Sequence, residues 1–395
     1  MLTFKPLNLS KIGYFVHYRY LTGQNRIVDN GLTMEIRLVY NRVVMTNKEK
    51  ILELIERQGK VTSREITEAI GVSRQYVNLI ISELVAEEKV IKVGSTRYAF
   101  YVSRAYMAKH PEAVPSVFKK QYLNQSLEEH KVFLEIEDKL PQLKESPENV
   151  RSIFTFAFSE MFNNAIEHSG SKLISVEVTV REKFLSFIVN DAGIGVFRNI
   201  MKKKNLKSEI EAILDLLKGK TTTMPKSHSG EGIFFTSKAG DVFTLDSFGQ
   251  MLIVNNLSRD VSARTTSATK RGTRVIFKIN TDSNRHLNDI FKKYTNLNDS
   301  SDYGFDKTEI RVKLFTSGGV HISRSQARRI LEGLDKFKVV LFDYENVPFV
   351  GQAFADEIYR VFQERHPDIR LENENMSEGV RFMVERARNE ARKKK

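Results

Sequence analysis

Between Ser146 and Asp191 the apolar residues change their spacing, from the three-to-four of a helix to the alternation of a strand. A chain that does this must lay helix on sheet. The helical half, SPENVRSIFTFAFSEMFNNAIEHSG, opens at Ser146-Pro147-Glu148, and the strand half, SKLISVEVTV then KFLSFIVND, reads as a pair of strands. At ~100° per residue, Asn164 lies about 40° from Glu160, with Glu167 about 20° to the other side, while Phe154, Phe158, Met161 and Ala165 gather on the opposite stripe. A solvated helix face would show the same pattern, so the weight falls on the glycine-bearing turns further along the chain. After the strands comes Asn190-Asp191-Ala192-Gly193-Ile194-Gly195. Past a loop rich in Thr, Ser and Lys, Ser229-Gly230-Glu231-Gly232 opens the apolar IFFTSKAG, and Gly272-Thr273 begins the last strand, KRGTRVIFKIN. Each alone describes ordinary turn glycines; their succession behind one polar-faced helix is the signal.

A length of 395 residues implies two or three domains, and a hydrophobic fraction of 41% can fill a core in each. The absence of cysteine excludes disulfides and thiolate metal sites and fits a reducing cytoplasm, and the 8 histidines show no ligand spacing. The balance of 62 basic to 49 acidic residues, a net charge of +13, points to a polyanionic partner, nucleic acid or nucleotide phosphate. No apolar run approaches the roughly 20 residues that cross a bilayer, and MLTFKPLNLSKIGYFVHYRY lacks the continuous apolar segment of a signal peptide. The expectation is a soluble, cytoplasmic protein without a membrane partner.

Residues 1–44 form an N-terminal extension without sustained period; Met45, ahead of the amphipathic MTNKEKILELIERQG, is either an alternative start or the end of a short ordered extension. Residues 45–104 read as helix, short helix, turn, longer helix and two strands around Gly94-Ser95-Thr96, with Ser63 expected as N-cap of the second helix and the third running from Ser73 to about Glu88. This is a helix-turn-helix with a β-wing. A connector, 105–124, holds His110-Pro111 and Pro115; residues 125–280 make the α+β layer; a polar run, 281–305, links it to a βαβα-like block over 306–395. The fold class is multidomain α+β.

The central motifs resemble the GHKL ATPase superfamily, the Bergerat fold shared by gyrase, heat-shock chaperones, histidine kinases and mismatch-repair ATPases. Within it they are most similar to the anti-sigma serine kinase branch, through the S-E-x-x-x-N-A-I-x-H pattern of SEMFNNAIEHS. The resemblance implies a Bergerat α/β sandwich over 125–280 with ATP and Mg²⁺ as cofactors. Glu160 would orient or deprotonate the attacking group, Asn164 would ligate Mg²⁺, and Asp191 would accept the adenine amino group. Gly193 and Gly195 would form the turn beside the nucleotide, Gly230 and Gly232 would belong to the lid, and Thr273 to the adenine pocket. An amide ligand suits Mg²⁺, which takes oxygen donors and keeps phosphates and water around it. A carboxylate one turn earlier can take a proton near the γ-phosphate, and glycines at a helix start let N–H groups approach an anion. The E-x-x-x-N spacing leaves Asn163 as a neighbouring hydrogen-bonder and Glu167 and His168 as surface or helix-end residues. Where a further glycine is usual, near position 228, stand His228 and Ser229, which bears on hydrolysis more than on binding.

The first module resembles the winged helix-turn-helix domains of bacterial regulators. That resemblance makes Ser73, Arg74, Gln75, Tyr76 and Asn78 base- or phosphate-facing candidates, with Lys92, Arg97 and Tyr98 on the wing; a winged helix used for protein contacts is the alternative. KVVLFDYENVPFVGQAFADEIYRVF resembles the STAS fold of anti-sigma factor antagonists, whose loop carries a phosphorylatable serine. Here the matching positions are Gly351-Gln352-Ala353, without a hydroxyl, so the domain would be a regulatory module or a generic α/β cap. The leading expectation is an ATP- and Mg-dependent, DNA-binding transcription regulator. The alternatives are a serine/threonine kinase acting on a separate protein partner and a nucleotide-binding scaffold in stress or phage defence. Dimerisation is common in the superfamily, and a homodimer stands as an alternative to the monomer.

Overall fold

A computed structural model describes residues 45–94, 98–181, 183–220, 231–267, 270–295, 305–315 and 321–393. The chain divides into two compact units, with the boundary between Val90 and Ile91. In the first, α1 (Asn47–Gln58), α2 (Ser63–Ile70) and α3 (Arg74–Ala86) pack through Ile51, Ile55, Ile66, Val77 and Leu84. Thr46 with Glu49 and Thr62 with Glu65 form reciprocal capping boxes at the starts of α1 and α2. The N-cap of α2 is thus Thr62, not Ser63, because Glu65 stands three residues after Thr62 and can return a bond to its N–H. Helix α3 begins at Arg74 with Ser73 as its cap and ends at Ala86, two residues short of the expected end.

The boundary falls inside β1 (Val90–Val93), which forms a two-stranded sheet with β2 (Phe100–Ser103) and is followed by α4 (Arg104–Lys109). A seven-stranded sheet follows. Its strands are β3 (Val117–Leu123), β4 (Leu173–Arg181), β5 (Phe184–Asp191), β6 (Val242–Ser247), β7 (Gln250–Asn255), β8 (Asp260–Thr265) and β9 (Thr273–Asn280), in the order β3-β4-β5-β9-β6-β7-β8. Every neighbouring pair is antiparallel. Between them in sequence come α5 (Glu129–Lys139), α6 (Glu148–His168), α7 (Val196–Lys204), α8 (Glu209–Lys218) and α9 (Gly232–Ala239).

Alternation along β4, β5 and β9 buries one face of this sheet and leaves the other partly exposed. The registered row Phe243, Phe277, Phe187 crosses the centre of the buried face, and α6 lies on it: Phe154 meets the Phe187 ring edge-on at 5.5 Å. Strand β3 falls within the stretch expected to be a connector. Its pattern buries only Phe118 and Tyr122, as an edge strand can.

The polar run after β9 contains α10 (Leu287–Tyr294), with Tyr294 buried. The last block is a three-stranded parallel sheet, β10 (Lys307–Arg311), β11 (Val339–Asp343) and β12 (Arg370–Glu374), in the order β10-β11-β12. Its helices are α11 (Arg324–Leu331), α12 (Gln352–Asp356), which runs on into a π-helical stretch at Glu357–Phe362, and, beyond β12, Glu378–Lys393. The core of this block, around Ile310, Val340, Phe342 and Phe354, also takes in Leu214 of α8 and Phe234 and Phe235 of α9. Among the described residues no helix is long and apolar enough to cross a membrane.

Candidate functional site

The polar side of α6 carries Glu160, Asn163 and Asn164, all half-buried, while Phe154, Phe158, Met161 and Ala165 are buried against the sheet. The last turn of the helix is tied to the turn after β5. The Ile194 N–H donates to the Ser169 carbonyl at 2.8 Å, and the Asn199 amide reaches the His168 carbonyl at 3.5 Å. Asn164 therefore stands about one turn back from that junction and Glu160 a turn further.

Asp191 ends β5 and is only 5% exposed. Its Oδ1 accepts the N–H groups of Gly193 (2.8 Å) and Thr273 (3.2 Å), and its Oδ2 receives neither. Burial lifts the Asp191 pKa above the ordinary carboxylate value, against the opposing pull of those two N–H donors and of the Lys270 ammonium. Lys270 also donates to the Asp191 main-chain oxygen. Thr273 closes the knot, because its hydroxyl accepts the N–H of Val196, the first residue of α7, at 3.0 Å.

Two glycines allow this crossing. A Cβ on Gly193 would lie 1.9 Å from the Ser169 oxygen, and one on Gly272, whose φ is +80°, would lie 2.4 Å from the Asp191 oxygen. Gly195 is the N-cap of α7. Gly232 opens α9 directly against α6, where a Cβ would come within 2.0 Å of Glu160 Oε2. Asp191, Gly193, Gly195 and Thr273 are thus joined in one knot at the end of β5 and the start of β9, and Glu160 meets Gly232. Gly230 lies outside the described residues.

Sequence reasoning missed Ser169, Ser171 and Lys270. The Ser171 hydroxyl accepts the Ala192 N–H at 3.1 Å, and Ser169-Gly170-Ser171 follows the polar-faced helix immediately, a signal available but not used. Together these groups offer a buried carboxylate whose Oδ1 takes both main-chain N–H groups, a helix N-terminus beside a second carboxylate, and an amide between the two along α6. A purine amino group, a phosphate and a hard divalent cation are the partners such a set can serve.

On α3, Ser73 is occupied as a cap, its hydroxyl accepting the Tyr76 N–H at 3.3 Å, while Arg74, Gln75 and Asn78 are exposed and Tyr76 is 42% exposed. Arg74 and Asn78 stand one turn apart on the same side of the helix. Lys92 on β1 and Tyr98 are also exposed, and Arg97 lies outside the described residues.

Residues 46–91 match the family described as winged helix-turn-helix DNA-binding. Residues 326–381 match a STAS-like domain of unknown function. The chain begins its described part with a winged helix-turn-helix and ends in a STAS-like domain. Neither match extends into residues 125–280. No curated protein matches the chain. Within the STAS-like domain, the Gly351 N–H donates to the His321 carbonyl at 2.6 Å, and a Cβ on that glycine would lie 2.7 Å from the Cα of Ile322, so close approach of two backbones accounts for glycine there.

Proposed function

We propose that the protein is a DNA-binding regulator whose central layer binds ATP with Mg²⁺. The observation that carries the nucleotide half is the knot at Asp191: a buried carboxylate, positioned by two main-chain N–H groups, whose Oδ2 takes neither of them. In this reading Oδ2 accepts the adenine amino group and Thr273 flanks the base. Asn164 is the protein's ligand to Mg²⁺, which when bound offsets the charge of the phosphates. Glu160 lies at the phosphate end, beside the N–H groups that begin α9. The DNA half is supported by the match of residues 46–91 and by the exposed Arg74, Gln75 and Asn78 on α3.

Titration with a fluorescent ATP analogue in magnesium tests the first half. The wild type is expected to bind, and Asp191→Asn and Asn164→Ala to bind at least about 10-fold more weakly, a loss of about 1.4 kcal/mol. Equal binding by all three, or no binding by the wild type, ends the reading. Gel shifts against a random-sequence duplex pool, with and without Mg-ATP, test the second. Nucleotide switches the protein only by binding one arrangement more tightly, so identical DNA retention in both conditions removes the switch.

The serine/threonine kinase remains the second reading, favoured by the Glu160-to-His168 pattern standing in one chain with a STAS-like domain. Label passed from ATP to a separate protein would select it. Free phosphate alone would select the ATPase.

A further inference from the structure

Helix α9 serves two cores. Its first residue, Gly232, touches Glu160, and its last, Ala239, lies in the core under the seven-stranded sheet. Between them Phe234 and Phe235, 2% and 1% exposed, enter the core of the STAS-like block. The Phe235 ring stacks on Phe291 of α10 at 4.2 Å, and Phe234 lies 4.7 Å from Phe305 and 5.0 Å from Tyr294.

The end of α8 is held on the same block. The Lys218 ammonium donates to the carbonyls of Arg329 (3.0 Å) and Glu332 (2.8 Å), closing the C-terminus of α11, while the Lys218 carbonyl accepts from Thr308 on β10. Asp191 and Thr273 are held differently: β5 and β9 contribute no residue to the second core. One end of the candidate nucleotide site is therefore built into the STAS-like block and the other is not.

We infer that the STAS-like domain is the positioning element for the phosphate end of the site, acting through Phe234 and Phe235 on the contact between Gly232 and Glu160. This rests on the nucleotide reading of the Asp191 knot. The domain then governs how the site distinguishes ATP from ADP and leaves the grip on the base unchanged; reciprocally, a partner seated on the domain changes that distinction.

The test uses the full chain with Phe235→Leu and Phe291→Leu, both of which remove the stacked pair while keeping an apolar side chain, and neither of which touches Asp191 or Thr273. Both are expected to bind ADP within about twofold of wild type and to lose at least about fivefold of its preference for ATP over ADP, a change of about 1 kcal/mol. Folded variants that keep the wild-type preference overturn the inference, as does a wild type that binds both nucleotides equally; a wild type that binds neither overturns the nucleotide reading itself. Hydrogen exchange on the wild type needs no variant: α10 and β10 are expected to be more protected with ATP than with ADP. Equal protection would overturn the coupling even if both variants failed to fold.

Discussion

A buried carboxylate such as Asp191 is costly, and the direction of its pKa tells what happens when it is removed. A carboxyl whose folded pKa is raised contributes stability below its unfolded pKa and loses it as pH rises through the folded value, so at pH 7 Asp191 is a net burden on the fold. Asp191→Asn keeps an oxygen for the Gly193 and Thr273 N–H groups and sheds the charge. The variant is expected to melt at or above the wild-type temperature at pH 7 while binding nucleotide worse, the signature of a residue kept for function. Melting several degrees lower, about 1 kcal/mol or more in a domain of this size, would make Asp191 structural. Gly232→Ala separates the same two roles differently. Alanine suits a helix better than glycine by about 0.5–1 kcal/mol, yet the Glu160 carboxylate occupies the place of the new Cβ and must move. Unchanged or slightly raised melting temperature is expected together with a lost preference for ATP over ADP; retention of that preference would show that the position of Glu160 is immaterial.

At the scale of the element, legibility in the sequence depends on how much of each segment is fixed by one requirement. The polar face of α6 and the turn at Asp191 could be read because carboxylate, amide and glycine stand where packing would choose otherwise. Helices α1 to α3 were legible from period and caps, and the shift of the α2 cap from Ser63 to Thr62 shows the limit: both residues cap well, and only the return bond from Glu65 decides. Strand β3 was not legible because an edge strand buries only Phe118 and Tyr122 among charged neighbours. Nor was the double duty of α9, since a segment apolar all round announces burial without naming the surface that buries it. The caps also separate folding from recognition on α3. Ser73→Ala, which removes the bond to the Tyr76 N–H, is expected to cost about 1 kcal/mol in the first unit. Arg74→Ala is expected to leave stability unchanged, weaken DNA binding and reduce the slope of log affinity against log salt by about 0.9, the value for one phosphate contact. An unchanged slope would remove Arg74 from the phosphate-contacting set.

Across the whole molecule, the seam between the central layer and the STAS-like block gathers a cluster of charge around one buried carboxylate. Glu309 of β10, 8% exposed, meets Lys238 of α9 at 3.5 Å and Lys293 of α10 at 3.6 Å, and accepts the Tyr294 hydroxyl at 3.0 Å. Its side chain also lies within 4.8 Å of the Asp343 and Glu374 carboxylates at the carboxyl ends of β11 and β12. Burial alone would raise the pKa of Glu309, but Lys238, Lys293 and Arg311 outweigh it and hold the group at about 2. Lys238 moves the other way: burial lowers its pKa and Glu309 offsets this only in part, so the pair stabilises less than the carboxylate taken alone. A depressed carboxyl pKa gives stability that is present above the unfolded value, near 4.5, and is lost as pH falls from there toward about 2. The shift is worth about 3 kcal/mol at most, reduced by the burden on Lys238. Glu309→Gln should therefore lower the urea midpoint of the second unit at pH 7, and the gap between variant and wild type should close as pH falls below 4.5. Because the same residue ties α9 and α10 to β10, the protection factors of Gly232–Ala239 against hydrogen exchange, taken relative to the intrinsic rate at each pH, should fall in the variant at pH 7 and in the wild type at pH 3. A gap that persists unchanged at pH 3 would mean that Glu309 holds the seam by shape and not by charge.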